Sequence, residues 1–156
     1  MDHAALHEFL SRFRYGVVSS LSAAGTPQSA LVGIAVTAHL EIVFDTLRST
    51  RKYANLIHDR RCSMVIGWDG EQTVQLEGIA EEPQGAELAR CRDAYFAAWP
   101  DGRSRLSWPG LTHFVVRPTW VRYSDYANTP PLIDEMEFHP SEGPPSKTAQ
   151  EVGATP

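Results

Sequence analysis

Between His3 and Arg14 the apolar residues fall at Leu6, Phe9, Leu10 and Phe13, the spacing of one helical face. Asp2 stands just ahead of them, where a carboxylate can accept the first unpaired N–H groups of a helix. The period then changes to that of strands. Segments 15–22, 28–36 and 41–46 are rich in β-branched and aromatic residues, and Ala24-Gly25-Thr26-Pro27 reads as the turn between the first two. A short helix is predicted over 49–58, with Tyr53, Leu56 and Ile57 on one face. Strands 62–68 and 73–81 flank Asp69-Gly70, a hairpin signal. Pro83 stops the second of them. A full-length helix over 84–99 carries Leu88, Cys91, Tyr95, Ala98 and Trp99 along one stripe and is closed by Pro100-Asp101-Gly102. Two last strands, 112–117 and 119–126, stand either side of Pro118. Seven short strands joined mostly by hairpin-length connections, with three helices inserted, do not alternate as a doubly wound parallel sheet requires. The pattern predicts a mainly β fold with peripheral helices, a small antiparallel barrel.

The chain has 156 residues, enough for one domain with an ordinary core. Six of its eleven prolines lie beyond Ala127. The reading is a folded domain over 1–139 and a disordered acidic, proline-rich tail over 140–156. Fourteen Lys and Arg against nineteen Asp and Glu give a net charge of −5, which argues against nucleic acid as a partner. The longest apolar run, 30–36, cannot span a bilayer, and Met1-Asp2-His3 lacks the pattern of a signal peptide, so no membrane is expected and the expected location is cytoplasmic. Cys62 and Cys91 have neither disulfide-framework nor metal-ligand spacing. His3 and His7 are one helical turn apart without a third ligand, so no metal site is expected. The four tryptophans read as core and interface material.

Charge is not spread evenly. Between Arg48 and Arg61 five cations face only Asp59. Within that stretch, FDTLRSTRKYANL (44–56), a strand ends at Thr46 and a helix begins near Ser49 or Thr50. Hydroxyls of Ser49 and Thr50, the fork of Arg51 and the point charge of Lys52 therefore meet the N–H groups and positive dipole end of a helix. Such a turn suits a phosphate. The alternative is that Ser49 only caps the helix while Arg51 and Lys52 sit in water. Two cations at a helix start oppose the dipole, which favours an anion between them. Ser49-Thr50-Arg51-Lys52 also matches the S-x-x-K pattern of serine–lysine hydrolases, but Ser124-Asp125-Tyr126 and Lys147-Thr148-Ala149 fail the companion motifs.

Taken together, VFDTLRSTRKYANL, the strand 62–68 and VQLEGIAEE resemble the pyridoxamine 5'-phosphate oxidase-like FMN-binding split-barrel flavoproteins, over roughly residues 9–125. The resemblance implies a six-stranded antiparallel split β-barrel and a homodimer with FMN in the cleft between subunits. It implies that Thr46, Thr50, Arg51 and Lys52 hold the FMN phosphate with Ser49 nearby. The strand around Val32, Gly33 and Ile34 would supply backbone contacts to the isoalloxazine, and Gln72 or Thr73 would reach the flavin from the 62–81 strand pair. Small Gly33 and Ala35 allow such an approach. The implied activity is that of an oxidoreductase moving hydride or electrons to or from a small molecule on the flavin ring. Vitamin B6 oxidation is not expected, because Ala30 stands where those oxidases carry an arginine and the last strand ends Arg122-Tyr123-Ser124-Asp125 without their R-x-H segment. Two alternatives stand beside this. One is a deazaflavin-dependent reductase, with Arg90, Arg92, Arg103 and Arg105 meeting a polyanionic coenzyme tail. The other is a non-catalytic flavin-binding protein. Haem-binding relatives share the barrel, but the acidic C-terminus argues against haem.

Overall fold

A computed structural model describes residues 1–139; the expected tail, 140–156, lies outside the described residues. The chain order is α1 (His3–Ser11), β1 (Tyr15–Leu21), β2 (Pro27–Val36), β3 (Ile42–Leu47), α2 (Arg51–His58), β4 (Arg61–Ile66), β5 (Gln72–Glu81), α3 (Gly85–Ala98), β6 (Leu111–Asp125) and β7 (Leu132–Glu137). All strand pairs are antiparallel. β1-β2-β3-β6-β5-β4 closes on itself through the β3–β6 and β1–β4 pairings, giving the expected six-stranded barrel, with β7 added outside the ring.

The long β6 makes that arrangement possible. Its first half pairs with β3 (Thr46 opposite Thr112), and on its second half β7 takes over (Asp125 opposite Leu132). Two differences from the sequence reading follow. The predicted strands 112–117 and 119–126 are one strand, because Pro118 sits at a bulge where Gly78 faces Pro118 and Glu77 faces Trp120. A missing ladder N–H is tolerated at a bulge. A Cβ on Gly78 would lie 2.6 Å from the Arg117 carbonyl oxygen, so the corner admits only glycine. The second difference is β7, which lies inside the expected folded domain where the sequence reading placed no strand. Its side chains are mostly exposed, so the apolar alternation that marks a strand is absent.

The barrel interior is filled by inward residues of every strand, among them Ile34, Ile42, Phe44, Ile66, Leu76 and Phe114. α1 closes one end with Leu6, Phe9 and Leu10, Phe9 meeting Tyr123 edge-on at 5.2 Å. The carboxylate of Asp2 caps it by accepting from the Ala5 N–H at 2.8 Å, as expected. α2 covers the other end through Leu56 and Asn55, whose Nδ2 donates to Ser20 and Gln28 at 3.0 Å each. A second, smaller core lies outside the barrel, where α3 packs Cys91, Tyr95 and Phe96 onto Ala35, Val43 and Val115. None of the four tryptophans belongs to the buried core; Trp68 and Trp108 are more than half exposed and Trp99 lies at the edge of the α3 layer. No helix among the described residues is long and apolar enough to cross a membrane.

Candidate functional site

The turn between β3 and α2 brings hydroxyls, cations and the first N–H groups of a helix together. Thr46, the last inward-facing residue of β3, shares a hydrogen bond of 3.0 Å with the Thr50 hydroxyl, which also donates to the Leu47 carbonyl at 2.9 Å. Thr50, not Ser49, caps α2: its Oγ1 accepts from the Tyr53 N–H at 3.3 Å. Ser49 is exposed on the turn. The N–H groups of Arg51 and Lys52 have no acceptor among the described residues, as the first turn of a helix leaves them.

Charge at the turn divides in two. Arg48 is neutralised by Glu82 at 2.5 Å, and the same carboxylate accepts from Tyr53 Oη at 3.1 Å and Thr112 Oγ1 at 2.7 Å. Burial would raise the Glu82 carboxyl, but hydrogen bonds from Thr112, Arg48 and Tyr53 hold it below its usual range. Glu82 thus ties the turn to the end of β5. Arg51 and Lys52, by contrast, form no ion pair or side-chain hydrogen bond with any described residue. Burial pushes the Lys52 ammonium below its ordinary range, against the opposing pull of Asp45. Two free cations, two hydroxyls and two free N–H groups converge on a turn that Glu82 and Asn55 hold in place. The group is matched to a phosphate, which needs charge and donors together.

Beside this turn the barrel is split. β2 pairs with β1 over Pro27–Gly33 and with β3 only over Ile34–Val36 (Ile34 opposite Phe44). The edge of β2 through Val32 and Gly33 therefore faces no strand on the β3 side. Backbone groups left free on a sheet edge are those available to a planar heterocycle. Val32 and Ile34 point their side chains into the barrel core. At Gly33 the space is already used: a Cβ there would lie 2.8 Å from Cζ2 of Trp99, whose Nε1 donates to the Ile34 carbonyl at 2.9 Å. The close approach that the small residue permits is made by this indole.

Gln72 and Thr73 lie elsewhere. They pair with Asp125 and Ser124, at the opposite end of β6 from Thr112 and the α2 turn. Gln72 Nε2 donates to Asp125 Oδ2 at 2.9 Å and lowers that carboxyl. One copy of the chain thus gathers Thr46, Ser49, Thr50, Arg51 and Lys52 at one place, sets Val32–Ile34 next to the split, and leaves Gln72 and Thr73 remote. Of the four arginines considered for a polyanionic tail, Arg90 is held by Glu41 at 2.7 Å and Arg105 by Asp45 at 2.9 Å. Glu82, Asp45 and Trp99 escaped the sequence reading, since nothing in their local pattern separates them from ordinary strand-end acids and a helix-stripe aromatic.

Comparison with known proteins agrees with this architecture. A heme binding protein from Mycobacterium smegmatis superposes with a TM-score of 0.75 at 23% identity, covering 88% of this chain and 58% of that one. The chain thus spans less than two thirds of that relative's length. A conserved hypothetical protein from Mycobacterium tuberculosis gives 0.69 at 20% identity, covering 90% and 94% of the two chains. A pyridoxamine 5'-phosphate oxidase-related, FMN binding protein from Nostoc punctiforme gives 0.64 at 11% identity, covering 88% and 95%. At such identities the likeness is one of fold. No curated protein sequence matches the chain. The family model described as pyridoxamine 5'-phosphate oxidase matches residues 3–125, from the first helix to the end of β6. Barrel, split and turn all lie within that span, and the chain belongs to the pyridoxamine 5'-phosphate oxidase family.

Proposed function

We propose that this protein is an FMN-binding flavoprotein and an oxidoreductase, working as a homodimer on a small molecule. The observation that carries the reading is the β3–α2 turn, where Arg51 and Lys52 form no ion pair among the described residues and stand beside the Thr46 and Thr50 hydroxyls. In this reading those residues hold the FMN phosphate, and the strand Val32–Ile34, whose edge toward β3 is unpaired at Val32 and Gly33, meets the polar rim of the isoalloxazine. When bound, the flavin supplies hydride or electron transfer. The chain's own residues bind and orient: Thr50 fixes the first turn of α2, Glu82 removes Arg48 from competition for the phosphate, and the α2 cap over the barrel end keeps the turn from fraying.

The homodimer has its own support. On the outer face of β2, β1 and β4, Leu31, Val17 and Val65 form one cross-strand row, and Leu31 is 61% exposed. A row of aliphatic side chains in water marks an association surface. A second copy seated there could also bring its Gln72 and Thr73 toward a flavin that its own chain cannot reach. The deazaflavin alternative is weakened by the pairing of Arg90 and Arg105 with Glu41 and Asp45.

The test is identification of the ligand. The purified protein is expected to be yellow or to take up added FMN with quenching of flavin fluorescence, and mass spectrometry of the released ligand is expected to read FMN. A preparation that is colourless and leaves FMN fluorescence unchanged would overturn the assignment. Reduction of the bound flavin by nicotinamide nucleotides, followed by turnover with acceptors, then separates an enzyme from a carrier.

A further inference from the structure

The barrel parts in a second place, between β1 and β4. Their ladder runs only from Gly16 opposite Ile66 to Ser19 opposite Ser63. Beyond that point the register sets each strand against its other neighbour. Ser20 and Leu21 face Gln28 and Pro27 on β2, while Cys62 and Arg61 face Gly78 and Ile79 on β5. The gap opens into a cleft of about 400 Å³, a size that holds a small organic molecule. Ser20 and Cys62, from the buried side of the sheet, line it together with Ser19, Ser63 and Glu77 from the outer face.

Two kinds of surface meet in this cleft. Leu21, Pro27 and Ile79 supply an apolar wall. The buried side adds no charge: Ser20 accepts from Asn55 Nδ2 at 3.0 Å, and burial pushes the Cys62 thiol up to about 12. The polar wall is a single cross-strand row, Ser19 opposite Ser63 and Ser63 opposite Glu77. Side chains paired in this way start about 5 Å apart, so one ligand group reaches both Ser63 and Glu77. Neither Ser63 nor Glu77 has a side-chain partner among the described residues. The arginines of the two strands beside Glu77 are held by other acids: Arg61 by Asp59 at 2.6 Å, Arg122 by Glu135 at 3.2 Å, and Arg117 by Glu81 and Glu87. The Glu77 charge is thus left to the cleft. A carboxylate beside a hydroxyl, next to an apolar wall, is the set of partners that an ammonium on an apolar body requires.

We infer that the cleft between β1 and β4 is a second ligand site, separate from the β3–α2 turn, that takes a small primary amine in its ammonium form. The ammonium sits between Glu77 and Ser63, with the Ser19 hydroxyl next in the row. The apolar body of the ligand lies along Leu21, Pro27 and Ile79. The site requires no flavin. It begins one row of side chains from the Leu31, Val17 and Val65 strip, so it borders the surface given to a second copy without using it.

The experiment is a titration of the full ¹⁵N-labelled chain with phenethylammonium, followed by NMR, with phenethyl alcohol and hydrocinnamate as the neutral and anionic counterparts. Saturable shifts at the amides of Ser20, Leu21, Ser63 and Ile79 are expected with the ammonium. The alcohol should bind more weakly at the same amides, and hydrocinnamate should not bind. Glu77→Gln keeps the shape without the charge and should weaken the ammonium roughly tenfold, the worth of one charge-assisted hydrogen bond, with little effect on the alcohol. Ser63→Phe, at an exposed strand position, should fill the mouth of the cleft and abolish the shifts. Arg51→Ala with Lys52→Ala should leave them unchanged. Equal affinity for ammonium and alcohol, undiminished ammonium binding by the Glu77→Gln protein, shifts that persist in the Ser63→Phe protein, or no saturable shift at these amides would each overturn the inference. None of these readings depends on whether FMN binds.

Discussion

Trp99 rests on Gly33: the indole occupies the place a β-carbon would take, at 2.8 Å, and donates to the next residue's carbonyl at 2.9 Å. This one contact joins the C-terminus of α3 to the strand bordering the split of the barrel. It also carries Arg14 on its outer face and stacks on Tyr95 at 6.4 Å.

Gly33→Ala should therefore lift the indole off β2. The neighbour is a large, multiply held ring, so overpacking is expected to cost about 1–3 kcal/mol. Urea unfolding should show that loss together with a shift in tryptophan emission. A midpoint equal to that of the parent protein would mean that the indole is not seated on Gly33.

At the β3–α2 turn, Arg51→Ala with Lys52→Ala is expected to weaken FMN by at least about 2 kcal/mol, roughly thirtyfold, because each removes a charge-assisted bond to the phosphate. Arg48→Ala is the internal control. Its charge is already spent on Glu82, so its removal should change affinity far less. Fluorescence titration of the three proteins separates them, and equal affinities throughout would contradict the phosphate assignment.

The strands and helices of the barrel were legible because they obey simple periods: three-and-a-half for α1 and α3, two for β1, β4 and β5. Asp2 as cap and the cluster from Thr46 to Lys52 were legible for a related reason, since a helix start is a local event. What escaped depends on residues distant in sequence. Pro118 reads as a break until Gly78 is seen to make room for it across the ladder. β7 has little apolar face of its own and exists because β6 outruns β3. Glu82 and Trp99 act on the turn and on β2 across long loops, and no spacing rule reaches that far.

His113 supplies a prediction in pH. It lies on β6 beneath α3, fully buried, with neither ring nitrogen hydrogen bonded, between the edges of Tyr95 and Phe96. Burial pushes its pKa down to about 4; Arg92 and Arg105 push the same way, while Asp45 opposes them. The unfolded chain, titrating near 6.5, binds the proton more readily. The neutral imidazole's contribution is thus intact above about pH 6.5 and falls as pH drops toward 4, by up to about 3 kcal/mol. His113→Phe keeps a ring between Tyr95 and Phe96 and should flatten that part of the stability profile relative to the parent. Parallel profiles of the two proteins from pH 7 to pH 4 would show that His113 is already charged or solvated.

The outer row of Leu31, Val17 and Val65 yields the last prediction. These side chains face one another across β2, β1 and β4 in register, Leu31 opposite Val17 and Val17 opposite Val65. Leu31 at 61% and Val65 at 39% exposure leave an aliphatic strip in water on the outer face, beyond the part of β2 that Trp99 and α3 cover at Gly33 and Ala35. If a second copy buries it, a charge placed at the centre must be desolvated or expelled, and either costs more than a weak dimer can bear. Leu31→Glu should then yield a monomer by sedimentation, with its melting temperature close to that of the parent measured as a dilute monomer, since the residue supports nothing within its own chain. FMN affinity should fall with the dimer, because Gln72 and Thr73 stand at the far end of β6 from the phosphate turn. A Leu31→Glu protein that remains dimeric would move the interface elsewhere. A monomer with undiminished FMN binding would place the whole flavin site within one subunit.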